Sequence, residues 1–187
     1  MTRGPDSTSD HEGWVSLFAR GIVEQLALPP HVGRAVKQAV RLHDIGMRLL
    51  PAELLSKPGQ LTPYEFEVVQ RHARLSEQIA RQVATHHDIA VIIRAHHERL
   101  DGTGYPDGLS GRNIPLGARI IAVADAFDAL TSSRPYRPAR SWTAALEEIE
   151  DAAGAQHDPM LVAALSAWLD QFADSLRARE GLWVPPK

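Results

Sequence analysis

Cysteine is absent from this chain of 187 residues. Without thiols there can be no disulfide bonds, thiolate nucleophiles or cysteine-ligated metal clusters, so nitrogen and oxygen atoms must hold any bound metal. Apolar runs of the roughly 18 residues that a membrane-spanning helix needs are also missing, and the first ten residues lack the apolar core of a signal peptide. These absences predict a cytoplasmic protein with no membrane partner.

The chain also lacks a large excess of charge of either sign. Its 20 basic and 23 acidic side chains leave a net charge of −3, which argues against bulk attraction to a nucleic acid polymer. The 44% of hydrophobic residues and the length are those of one globular domain. The number of histidines, nine, is high for an otherwise ordinary composition.

Apolar residues recur at helical spacing along most of the chain, as Val15, Phe18 and Ile22 do in the first segment. A capping box at Thr62–Glu65 marks another helix start, and one helix is expected from about His31 to Asp44. No alternating strand pattern is present. The sequence therefore predicts an all-α fold, a single compact helical domain of six to eight helices.

The expected organisation has three parts. Residues 1–10 are polar and predict a flexible lead-in, residues 11–180 hold the helical domain, and residues 181–187 form a C-terminal tail.

Four histidines fall on helix stripes that are predicted to face the core: His11, His43, His72 and His96. A single such histidine is usually a satisfied core residue, but burying four imidazoles is costly unless each is bonded, and a shared metal would satisfy them together. The adjacent pairs His43–Asp44 and His96–His97 can reach two neighbouring ions. A carboxylate such as Asp44 can bridge cations about 3.5–4 Å apart.

Asp125 completes the candidate set, although an acid on that helix face could also be exposed. The predicted metal ligands are His11, His43, Asp44, His72, His96, His97 and Asp125. Imidazole and carboxylate donors favour Fe, Mn, Zn, Co or Ni over Mg or Ca. The histidines at 86–87 are interpreted as surface or capping residues, and those at 31 and 157 as structural or solvated residues.

Three segments resemble the HD-GYP subgroup of the HD-domain metal-dependent phosphohydrolases. They are LHDIG around His43, HHERLDGTGYPDGLSG over 96–111 and IPLGARIIAVADAFDALTSSRPYR over 114–137. The resemblance extends over roughly residues 11–172 and implies an all-α fold with a binuclear or trinuclear metal centre, iron or manganese being the most expected metals. It also implies hydrolysis of cyclic di-GMP to pGpG, GMP or both.

The chain departs from the subgroup at two positions. Trinuclear members carry a glutamate four residues before the first histidine, where this chain has Ser7, so we expect two metal ions. The subgroup usually has lysine after HDIG, and this chain has Met47, which cannot offer a positive donor to a phosphate. Arg48 lies next to Met47 but should face another direction on a regular backbone.

The resemblance assigns substrate contacts to four residues, Arg134, Arg137, Tyr105 and Gly104. The two arginines could pair with phosphate oxygens, or could be solvated loop residues. The loop around Gly104 and Tyr105 could form a rim for substrate and for partner proteins, GGDEF-type domains among them, or could be only a tight turn.

The resulting hypothesis gives the catalytic roles to Asp44 and His43. Two metals share Asp44 and a bridging water or hydroxide, which attacks phosphorus in line with the departing ribose oxygen. Three alternatives stay open: a weak or inactive domain that binds cyclic dinucleotide and metal, a phosphohydrolase of another nucleotide, and a helical adaptor.

Overall fold

The computed structural model describes residues 8–83, 87–133 and 137–178, and every regular element in them is helical. The α-helices in these ranges are α1 Thr8–Gln25, α2 Pro30–Val40, α3 Ala52–Leu55, α4 Pro63–Val83, α5 His87–Arg94, α6 Leu116–Thr131, α7 Trp142–Asp151 and α8 Pro159–Ala178. Two 3₁₀ turns, Ile45–Leu49 and Gly111–Asn113, follow α2 and precede α6. The predicted all-α fold is confirmed.

Helix α6 lies in the middle of the molecule and packs against α1, α2, α5, α7 and α8. Its sequence is the apolar run LGARIIAVADAFDALT, which explains why Ile120, Ile121 and Phe127 are fully buried. The ring of Phe18 on α1 meets Phe127 edge-on at a centroid distance of 4.8 Å. Because α6 is surrounded, an acid on it lies near the core rather than in bulk solvent.

Side chains cap the starts of α4 and α8, and the cap of α4 is the predicted capping box. Glu65 accepts a hydrogen bond from the backbone N–H of Thr62 at 2.7 Å, and Thr62 accepts one from the N–H of Glu65 at 3.3 Å, so the capping box is present. At the start of α8, Asp158 accepts from the N–H of Met160 at 3.0 Å.

Within the described residues no helix has the length and apolar character needed to cross a membrane.

The predicted end of the second helix was wrong by four residues. Helix α2 ends at Val40, and the chain then tightens: the N–H of Leu42 donates to the carbonyl of Ala39, and that of Ile45 donates to Leu42. His43 and Asp44 therefore lie on a turn instead of on a helix. Helix α1 begins at Thr8, so the last three residues of the predicted lead-in are helical. The rest of that lead-in and the predicted tail over 181–187 lie outside the described residues.

Candidate metal centre

The seven predicted ligand residues converge in two adjacent groups. Asp44, His72, His96 and His97 form the first group, and His11, His43 and Asp125 form the second. Within each group the candidate ligand atoms all lie within 4.8 Å of one another. The side chains come from α1, α4 and α6 and from the turns after α2 and α5, so the fold gathers residues that are far apart in sequence.

Asp44 stands between the two groups. Its Oδ1 atom lies 3.4 Å from Nε2 of His72 and 3.8 Å from Nε2 of His96. Its Oδ2 atom lies 3.6 Å from Nε2 of His43, which belongs to the second group. The two carboxylate oxygens therefore face different groups, and this is the arrangement that a bridging ligand requires.

Three of the imidazoles are held in one tautomer by the backbone. His43, His72 and His96 each place Nδ1 at 2.6–2.7 Å from the carbonyl oxygen three residues earlier. A carbonyl can only accept, so Nδ1 carries the ring proton and Nε2 keeps a free lone pair. Each ring therefore presents the nitrogen that can bind a metal.

Two of these lone pairs are buried without a partner. Nε2 of His43 and Nε2 of His96 have no hydrogen-bond partner and no solvent contact, which is costly unless a ligand satisfies them. Nε2 of His97 lies 3.1 Å from Nε2 of His72, within hydrogen-bond distance, so the two nitrogens converge where a shared cation would bind both. The residues present fit a divalent metal of the kind that imidazole prefers.

The surroundings of Asp44, His72 and His97 lower the pKa values of all three side chains. Burial opposes ionisation of Asp44, but hydrogen bonding from His96 and the positive charge that His43, His96 and His72 carry when they are protonated lower the pKa of Asp44 well below its ordinary range. Burial lowers the pKa of His72, and burial together with the neighbouring His96 lowers that of His97 far more. Both rings are therefore neutral near pH 7, as metal ligands must be.

His11 is held by two acids on α6. Its Nδ1 atom donates to Oδ2 of Asp128 at 2.7 Å, which turns Nε2 toward Oδ1 of Asp125 at 3.5 Å. Burial lowers the pKa of His11, but the hydrogen bond to Asp128 and the charge of Asp125 outweigh burial and raise that pKa. Asp125 is only partly exposed, so the alternative of an exposed acid does not hold.

The loop after His97 combines tight packing with a side chain at the site. A Cβ atom on Gly104 would lie 2.5–2.6 Å from backbone atoms of residues 97–99, so only glycine fits there. The next residue, Tyr105, places its ring 4.7 Å from the ring of His97. Glu98, which is buried, accepts the N–H groups of Asp107 and Leu109 at 2.7 and 2.9 Å and fixes the loop.

The two predicted arginine contacts are not among the groups gathered at this centre: Arg137 lines a separate cleft, and Arg134 lies outside the described residues. Arg137 donates through Nη2 to the carbonyl of Ala129 at 2.6 Å and lines a cleft of about 360 Å³ with Gln156 and His157. Arg134 lies outside the described residues, as does the predicted surface residue His86.

Met47 is partly buried in the 3₁₀ turn after Asp44, and Arg48 is exposed.

The sequence interpretation missed two buried acids that hold the centre in place, Asp128 and Glu98. Asp128 is an acid within the most apolar helix and lies three residues after Asp125, and this spacing was an available signal. Glu98 directly follows the histidine pair, and no local pattern indicates that it binds loop N–H groups. His157, interpreted as structural or solvated, is buried.

Comparison with known proteins places this geometry in a family. A family model described as HD domain matches residues 5–161. The chain belongs to the HD-domain family. The family predicted from the motifs is thereby confirmed.

Two curated relatives have names that describe activities. The "Cyclic di-GMP phosphodiesterase response regulator RpfG" of Xanthomonas campestris pv. campestris is 45% identical over 151 residues, which is 77% of this chain and 39% of that protein. The "3'3'-cGAMP-specific phosphodiesterase 3" of Vibrio cholerae is 40% identical over 167 residues, which is 89% of this chain and 36% of that protein. The chain thus spans less than half the length of these relatives.

A solved structure supports the fold. The structure titled "Bd1817, a HDG"Y"P protein from Bdellovibrio bacteriovorus" superposes with a TM-score of 0.74 and 20% identity, covering 91% of this chain and 55% of that one. At this identity the likeness concerns the fold alone.

Proposed function

We propose that the chain is a metal-dependent phosphodiesterase that hydrolyses a cyclic dinucleotide, cyclic di-GMP in the first place, to pGpG, GMP or both. The observation that carries the proposal is the position of Asp44, whose two oxygens face two separate groups of candidate metal ligands. The names of the relatives, cyclic di-GMP and cGAMP phosphodiesterases, support the substrate class.

The proposed centre holds two divalent transition metals, iron or manganese in the first place, with Zn, Co or Ni as other candidates. His72, His96 and His97 would hold one ion, His11, His43 and Asp125 would hold the other, and Asp44 would serve both. Ions held in this way supply the charge that activates water and offsets the charge on phosphoryl oxygens.

The chain's own groups would prepare the site for this chemistry. The backbone carbonyls at Nδ1 fix the orientation of three imidazoles before any ligand arrives, so little reorganisation is needed on binding. Tyr105 stands over His97 and can close one side of the site, and Gly104 allows the loop to pass close to the backbone. Arg137 and Arg134 are proposed to pair with phosphate oxygens.

An alanine variant of Asp44 tests the proposal. We expect Asp44→Ala to lose hydrolysis of cyclic di-GMP by about a thousandfold or more and to retain less metal, because both ions lose a shared ligand. Asp151→Ala, at an exposed aspartate of α7, is the matched control and should behave as the wild type does. Full turnover by Asp44→Ala would refute the proposed centre.

A second candidate function follows from Met47. A thioether cannot pair with phosphate, so a domain that binds cyclic dinucleotide but turns it over slowly is the alternative. Met47→Lys separates the two functions: a gain of about a hundredfold or more in kcat supports the binding domain, and a change below about fivefold supports the competent enzyme.

The protein partners and the exact dinucleotide belong to the proposal as well. GGDEF-type domains could dock on the loop around Gly104 and Tyr105, which lies at the surface beside the centre. Because one relative is named for 3'3'-cGAMP, the hybrid dinucleotide should be assayed beside cyclic di-GMP.

A further inference from the structure

A second cleft, which also has a volume of about 360 Å³, opens beside the first group of candidate ligands. His96, His97 and Asp125 line one part of it, and the aromatic residues Phe66 and Tyr105 line another. The cleft therefore joins the proposed metal centre to an aromatic surface.

Phe66 is an aromatic side chain with a free face at this cleft. It lies in the first turn of α4, its ring meets that of Tyr105 nearly perpendicularly at 6.1 Å, and 47% of its surface is exposed. A phenyl ring that is exposed to water lacks the hydrophobic stabilisation that it would gain if a ligand buried it. Such a ring on the wall of a cleft is suited to cover an apolar ligand surface.

The other groups of this cleft favour a nucleobase over a second phosphate. Gln70 and Thr103 offer uncharged hydrogen-bonding groups. Arg99, which also lines the cleft, donates to Gln156 at 2.7 Å and pairs with Asp101 at 3.0 Å, so its charge is already neutralised.

The spacing of the rings matches the layout of a nucleotide. Tyr105 lies between Phe66 and His97, with its ring centroid 6.1 Å from the first and 4.7 Å from the second. In a nucleotide one sugar ring separates the base from the phosphate, so a phosphate at the centre brings its base to the aromatic pair.

We propose that Phe66, together with Tyr105, receives a purine base of the substrate, which makes Phe66 a substrate-binding residue. This inference rests on the proposed function, because it assumes that the phosphodiester of a nucleotide occupies the metal centre. Stacking on an aromatic side chain tolerates either purine, so one site of this kind accepts guanine and adenine.

Steady-state kinetics of variants at position 66 test the inference. Loss of one stacking ring should raise KM for cyclic di-GMP about tenfold in Phe66→Ala and leave kcat within about twofold. Phe66→Trp should restore the wild-type KM, whereas Phe66→Leu, which keeps apolar volume but has no π face, should not. A purely structural Phe66 would be rescued by leucine as well.

Tyr64 provides the matched control. It lies two residues earlier on α4, is 72% exposed, and is not among the residues that line the cleft. Tyr64→Ala should therefore leave both KM and kcat unchanged.

Fluorescence provides a readout that does not depend on turnover. In the metal-loaded Phe66→Trp protein, GMP should saturably quench the emission that exceeds that of wild type, whose four native tryptophans are subtracted, because the base stacks on the introduced indole. Ribose 5-phosphate, which has no base, should not quench it. The Tyr64→Trp protein should respond to neither compound.

The outcomes separate this inference from the proposed function. If wild type hydrolyses cyclic di-GMP while Phe66→Ala keeps its KM and GMP leaves the emission of the Phe66→Trp protein unchanged, the base site is overturned and the enzyme stands. If wild type leaves cyclic di-GMP intact, the proposed function fails, and the response of the Phe66→Trp protein to GMP still decides for or against the base site.

Discussion

The position of the proton on each imidazole ring determines which nitrogen of that ring can bind a metal. Val40 is the last residue of α2 and Ile93 lies in the last turn of α5, where carbonyls have no helical partner. His43 and His96 each donate Nδ1–H to one of these carbonyls. The helix ends thereby orient the imidazoles, and Nε2 of each is left for a ligand.

Asp128 plays the same orienting role for His11, and its removal should weaken one metal site selectively. In Asp128→Asn the amide no longer offers a charged acceptor to Nδ1 of His11. We expect the affinity for one of two metal ions to fall about ten- to a hundredfold, measured by titration with Mn(II). Equal weakening of both ions, or of neither, would contradict this role. Asp170→Asn, at an exposed position of α8, is the control.

His157 predicts a pH dependence of stability. Burial and the positive charge of Arg99 lower the pKa of His157 from 6.5 to about 4. As the pH falls below 6.5, the unfolded chain takes up this proton before the folded protein does, so stability is lost between pH 6.5 and 4. Between pH 7 and pH 5 the loss amounts to about 2 kcal/mol.

Urea unfolding of metal-free protein at pH 7 and pH 5 measures this loss. His157→Phe should lose about 2 kcal/mol less than wild type over that interval, and His31→Phe, at an exposed histidine, should follow wild type. Parallel curves for wild type and His157→Phe would show that the buried ring does not titrate as described.

At the scale of elements, the 3₁₀ turn after α2 determines where Asp44 points. Gly46 lies within this turn, and its N–H donates to Oγ of Ser76 on α4 at 2.9 Å. A Cβ atom on Gly46 would lie 2.5 Å from the carbonyl oxygen of His72. The backbones of the turn and of α4 therefore touch, and this contact brings Asp44 beside His72.

Gly46→Ala should push the turn away from α4. Since the clash is with backbone, which cannot rotate away, we expect a loss of about 1–3 kcal/mol in stability and a clear drop in metal content. Thermal unfolding and metal counting check both effects. Gly13→Ala, on α1 where a Cβ atom would meet nothing within 4 Å, should do neither. Wild-type metal content in Gly46→Ala would contradict the positioning role.

The loop that carries Tyr105 is fixed by ion pairs that the local sequence pattern does not predict. Arg94 donates to both carboxylate oxygens of Asp107 at 2.7 Å and to Glu77 on α4, also at 2.7 Å. The glycine-rich loop is thereby tied to α4 and α5. Position in sequence alone does not indicate which of the chain's arginines reaches Asp107.

On the scale of the whole molecule, metal binding should couple to stability. The candidate ligands come from five separate segments, so ions that bind the folded protein cross-link them. Chelation should lower Tm by about 5–10 °C relative to protein at saturating Mn(II). The measurement is thermal unfolding with and without a chelator, and Asp44→Ala should show a much smaller difference. A wild-type Tm that is the same with and without the chelator would contradict the coupling.

Much of this architecture could be predicted from the sequence. Helical periodicity indicated the fold class, and histidines on inward stripes indicated the candidate ligands, because burying several imidazoles demands a common partner. The end of α2 was missed because the helical spacing of apolar residues does not show that the chain tightens into a turn after Val40. The pairing of His11 with Asp128 was missed because the sequence marks metal ligands by their stripes but does not show which neighbouring acid takes the Nδ1 proton of His11.

The most direct test of the account is anaerobic incubation of cyclic di-GMP with protein loaded separately with Fe(II) and Mn(II). Products are separated by chromatography and metal is counted per chain. The account predicts about two metal ions per chain and conversion to pGpG or GMP with at least one of the metals. A protein that carries both ions and leaves cyclic di-GMP and cGAMP intact would contradict it.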